Sequence, residues 1–90
     1  MKYLIKEYPR TGPARWWDQD LVIQTQVGTP ALDVQTKGWD SVEPFESCKQ
    51  ARVCIQNIKD QAFLTHPYRP TLSRFQEVPE SRWPKYLQRN

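Results

Sequence analysis

Between Asp40 and Gln61 the apolar positions recur at steps of three or four: Cys48, Ala51, Ile55 and Ile58, continued by Ala62 and flanked by Phe45 and Cys54. Lys49, Arg52, Gln56, Lys59 and Asp60 fill the remainder, which is the pattern of an amphipathic helix of about four to five turns laid on a sheet. Val53 falls off the apolar stripe and is expected in solvent. Asp40 followed by Glu43 reads as a capping box, with Pro44 tolerated in a first turn whose amides have no helical acceptor.

Elsewhere the period is two. Residues 2–8, KYLIKEY, are rich in strand formers and end at the turn PRTGP. From Asp20 to Val27, Leu21, Ile23, Thr25 and Val27 alternate with Val22, Gln24 and Gln26, which predicts a strand partnering the first. Trp16 and Trp17 lie just upstream, in that strand or a bulged extension of it. Adjacent strand residues point to opposite faces, so without a bulge Trp17 joins Leu21 in the core and Trp16 points out. After the turn at Gly28-Thr29-Pro30, ALDVQT predicts a third strand at the sheet edge, and residues 72–78 a last one closed by Pro79.

The order strand, strand, strand, helix, strand defines a small two-layer α+β domain: a mostly antiparallel sheet of three to four strands under one main helix. Residues 1–79 form that domain, and residues 80–90 are an aromatic and basic tail, either packed on it or used as a binding arm.

Ninety residues hold one small core, and a mean hydropathy of −0.81 makes it sparse. Four Trp, four Tyr and three Phe must supply much of the buried area. The start does not read as a signal peptide, because Lys2, Lys6 and Glu7 interrupt its apolar run. No apolar stretch approaches the roughly 18–20 residues of a membrane span. Cys48 and Cys54, six positions apart on a helix, have Cα atoms about 9 Å apart, too far for a disulfide. Two reduced thiols and no export signal lead to the expectation of a cytoplasmic protein.

Charge is unevenly placed. Residues 1–60 carry eight Lys/Arg and eight acids; residues 61–90 carry five Lys/Arg against Glu77 and Glu80. The net charge of +3 therefore lies in the last third.

A catalytic set is thin. His66, the sole histidine, sits in a turn beside Pro67, and Cys48 lies on an apolar stripe where a thiol behaves as a small hydrophobe. Cys48, Cys54 and His66 lack the close pairing of structural zinc ligands, and Asp18-x-Asp20 reflects one face of a strand. Gly12, Gly28 and Gly38 are isolated, so no phosphate loop is present. The expectation is a protein without enzymatic activity, cofactor or metal.

What remains is binding. Trp, Tyr and Arg are the side chains that anchor protein interfaces, and a chain this short without a catalytic set is expected to occupy a partner's surface. It would be an inhibitor or accessory subunit, in the manner of small phage or mobile-element proteins that block host machinery. Arg15, Trp16, Arg82, Trp83, Lys85, Tyr86 and Arg89 are the expected contacts with another protein. The alternative is single-stranded RNA or DNA, bound through the last third, where Tyr68, Arg69, Arg74 and Phe75 precede the same basic and aromatic tail.

Overall fold

The computed structural model describes residues 1–30, 32–65 and 73–88, with the backbone alone over 62–65. Strand β1 (Tyr3–Tyr8) is the centre of a three-stranded antiparallel sheet, flanked by β2 (Arg15–Trp17) on one edge and β3 (Arg74–Pro79) on the other. The helices are α1 (Gln19–Val27) and α2 (Cys48–Thr65). The class is α+β as expected; the elements between β1 and α2 differ.

The stretch after Trp17 is a helix, not a strand, because its two ends are capped. Asp18 is the N-cap: its Oδ1 accepts the Leu21 amide at 2.9 Å, and its carbonyl accepts the Val22 amide at 3.3 Å. At the other end Gly28 adopts φ 75°, and the amides of Gly28 and Thr29 return to the carbonyls of Thr25 and Gln24. That is a Schellman closure, which needs a left-handed residue and so favours glycine. An aspartate and a glycine bracketing nine residues outweigh a weak alternation. Leu21 and Val22 turn inward, while Ile23 and Val27 are exposed.

No third strand forms over 32–36. Thr36 instead donates its amide and hydroxyl to the Asp33 carbonyl at 3.0 and 2.9 Å, closing a turn. Both edges of β1 are already occupied. β3 pairs along one edge, while on the other β2 pairs with Ile5 to Glu7 and Phe45 exchanges two backbone hydrogen bonds with Tyr3. The demand for an extended Phe45 also explains why α2 starts later than Asp40. Pro44 keeps Glu43 out of helical geometry, and Asp40 ends up in a short 3-10 turn, Trp39–Ser41. Ser47 supplies the working cap: its Oγ accepts the Gln50 amide at 3.1 Å, and the Gln50 side chain accepts the Glu46 amide at 2.7 Å.

Both tryptophans are buried, which corrects the expected outward position of Trp16. They pair in simple register, Trp17 with Ile5 and Trp16 with Lys6, and therefore face opposite sides. Trp17, 5% exposed, joins Ile5, Leu21, Val22, Phe45, Ala51 and Ile55 under the helices. Trp16, 4% exposed, joins Leu4, Val34, Val42, Val78, Trp83 and Leu87 on the other face. The sheet has two covered faces. Helices cover one, and the 32–42 segment with residues 83–87 covers part of the other. Among the described residues no helix is long and apolar enough to cross a membrane.

Candidate functional site

Strand parity sorts the charges of β1 and β3. Leu4, Lys6 and Tyr8 face one side and Tyr3, Ile5 and Glu7 the other; on β3, Arg74, Gln76 and Val78 lie opposite Phe75 and Glu77. On these two strands every cation is thus on the outer face and every acid on the helix face. The acids are engaged there. Glu7 accepts from Trp17 Nε1 at 2.8 Å and from Ser73 Oγ at 2.7 Å, and Glu77 pairs with Arg52 at 3.0 Å.

The outer face is built in rows. Leu4 and Val78 form the first, covered by Trp83 and Leu87. Trp16, Lys6 and Gln76 form the second, and Tyr8 and Arg74 the third. The cover reaches Trp16 but leaves Lys6, Gln76 and Tyr8 open, as a groove of about 410 Å³ whose walls add Arg82, Pro84 and Tyr86. Volumes of roughly 300–1,000 Å³ are those of ligand sites.

Three cations stand in or beside this groove. Lys6 Nζ lies 5.1 Å from the ring centroids of both Tyr8 and Trp16, and the Arg74 guanidinium lies 5.6 Å from that of Tyr8. Rings hold these charges in place without neutralising them. Among the described residues, Lys6, Arg74 and Arg82 have no ion-pair partner, and no acid lines the groove. Tyr86, 58% exposed, is the most open ring there, and the Gln76 amide group has no partner among the described residues.

The contact residues expected from sequence divide sharply. Arg82, Lys85 and Tyr86 are exposed. Trp16 and Trp83, 4% and 5% exposed, are core residues and cannot reach a partner. Trp83 is further tied down by its Nε1 donating to the Val78 carbonyl at 2.8 Å. Arg15 is half-exposed, paired to Asp33 at 2.8 Å and stacked over Trp17 at 4.8 Å. Arg89, Tyr68, Arg69 and His66 lie outside the described residues. Lys6, Tyr8 and Gln76 were missed. Their signal is the parity of KEY in β1 and RFQE in β3, which has meaning only once the two strands are paired.

The other reactive groups are dispersed. Among the described residues no three His, Cys, Asp or Glu side chains group in a metal-holding arrangement. Asp18 is spent on capping α1, so Asp18 and Asp20 are not a strand-borne pair. Both cysteines are free and partly buried, and burial pushes the Cys54 thiol up. At Glu77, desolvation raises the carboxyl, but hydrogen bonds from Arg52, its own backbone amide and Cys48, with the Arg52 charge, outweigh it and leave the group below the usual glutamate range. A depressed acid stabilises the fold above its unfolded-state pKa and loses that contribution as pH falls through the folded value. The urea midpoint of Arg52→Gln should therefore lie slightly below that of the native chain at neutral pH, and the two should converge between about pH 5 and pH 3.

Comparison of the chain with protein-family models, with curated proteins and with solved structures finds no match. The fold is that of a small α+β domain with a three-stranded antiparallel sheet and two helices.

Proposed function

We propose that this is a non-enzymatic binding protein that works by laying the open half of its outer sheet face against an anionic partner. The observation that carries the reading is the groove between β1, β3 and the C-terminal segment: Lys6 and Arg82 in its lining and Arg74 beside it, all three without counter-charges among the described residues, rings between them, and no acid among the described lining residues. A concentration of one sign over low-dielectric walls attracts the opposite charge and raises the rate of encounter. The free thiols of Cys48 and Cys54 suit a reducing compartment, and we place the protein in the cytoplasm.

The test is retention on immobilised heparin at low salt. Combined Lys6→Gln, Arg74→Gln and Arg82→Gln should elute at clearly lower salt than the native chain while keeping its thermal transition. Lys49→Gln with Lys59→Gln, exposed on α2, is the charge-matched control for the pair Lys6→Gln with Arg82→Gln and should elute later than that pair. Equal elution of the native and groove-substituted proteins would remove the groove as the contact surface.

A further inference from the structure

We infer that the anionic partner is single-stranded nucleic acid, with the groove seating a phosphate-linked base; this rests on the binding reading above. An acidic protein would also answer the charge, but a protein interface needs a desolvated apolar centre. On this face the apolar side chains are already consumed. Leu4, Trp16, Val34, Val42, Val78, Trp83 and Leu87 bury one another.

The side chains left in and beside the groove are of other kinds: the Tyr86 ring, the Arg74 guanidinium plane, the Gln76 amide, and the charges of Lys6 and Arg82. These are the groups that unpaired nucleotides use. A tyrosine ring or a guanidinium plane stacks on a base, an amide meets a base edge with one donor and one acceptor, and ammonium or guanidinium groups neutralise phosphates.

The geometry agrees with a strand laid along the sheet. Same-face residues on one strand repeat at about 6.8 Å, so Lys6 and Arg74, in neighbouring rows and adjacent strands, offer successive charges along one track. Tyr8 sits beneath both and fixes their positions. Tyr86 projects from the 3-10 turn Lys85–Leu87, whose Leu87 is buried, so the ring is carried on an anchored base. A duplex hides its base faces and cannot use that ring.

The experiment measures binding of the native chain to a fluorescent dT12 or rU12 strand, to a duplex containing the same strand, and to poly-glutamate of matched charge. Single strands should bind best. Three neutralised phosphates predict a slope of log affinity against log salt of about −2. Tyr86→Ala should weaken single-strand binding about 5- to 150-fold, the range of one lost stacking contact, and leave duplex binding unchanged. Equal binding of poly-glutamate with no effect of Tyr86→Ala would overturn the nucleic-acid partner while leaving the anionic-partner reading in place. Binding to none of the three, together with no retention on heparin, would overturn both.

Discussion

Replacing Asp18 with alanine is expected to destabilise the protein by about 3–5 kcal/mol, the cost of leaving a buried charge without its partner. Asp18 is fully buried, and its two oxygens hold three donors from three parts of the chain. Oδ1 takes the Leu21 amide at 2.9 Å; Oδ2 takes the Glu43 amide at 3.0 Å and Lys37 Nζ at 2.6 Å. The carboxylate starts α1, pins the segment leading to Phe45, and neutralises a lysine whose side chain is 8% exposed. Loss of the cap alone costs about 1 kcal/mol; the larger part is Lys37, left among the described residues with Asp20 at 3.7 Å.

For a domain of this size each kcal/mol lowers Tm by about 4–8 °C, so a fall of at least about 12 °C is expected. Asp18→Asn keeps a capping oxygen but loses the charge and should fall in between. Adding Lys37→Met to Asp18→Ala should recover part of the loss, since no unpaired charge then remains buried. An unchanged urea midpoint for Asp18→Ala would show that the carboxylate does not join these three segments.

The same residue marks what could be read from the chain. Helix α2 declared itself through a long apolar stripe, and β1 through its composition; α2 runs on to Thr65, past Gln61, and its start lies at Cys48, not Asp40, because Pro44 and Phe45 are needed in extended form against Tyr3. Helix α1 was hidden because Leu21 to Val27 alternates with the period of a strand and carries no helical apolar stripe. Its identity lies in Asp18 and Gly28, and Asp18 is an unambiguous cap only when Lys37 and the Glu43 amide arrive from elsewhere in the chain. The groove was illegible for a related reason. Lys6 and Gln76 are 70 positions apart and become neighbours only through the β1–β3 register. By contrast Arg82 and Tyr86 stood out in the basic, aromatic C-terminal segment, where local composition is a sufficient guide to exposure for Arg but not for Trp83.

That difference sets up the second large effect. Trp83→Ala should cost about 3–5 kcal/mol, the usual range for an aromatic removed from a core. The ring is 5% exposed, closes over Leu4, Trp16 and Val78, and donates to the Val78 carbonyl; Gln88 Nε2 returns to the Trp83 carbonyl at 2.6 Å. Against the total stability of about 5–13 kcal/mol expected for ninety residues, that is a large fraction. A chain ending at Pro79 loses Trp83 and Leu87 together and uncovers Trp16. It should show red-shifted tryptophan fluorescence and no cooperative urea transition. Trp83→Phe retains most of the packing and drops one hydrogen bond worth about 1 kcal/mol, so it should fold with a modestly lower midpoint. If the chain ending at Pro79 unfolds cooperatively at the native midpoint, residues 80–88 are an arm and not part of the core. Truncation also removes Arg82 and Tyr86, so it cannot separate folding from binding. The pair that does is Trp83→Phe, which should lower stability and spare nucleic-acid affinity, and Tyr86→Ala, which should do the reverse.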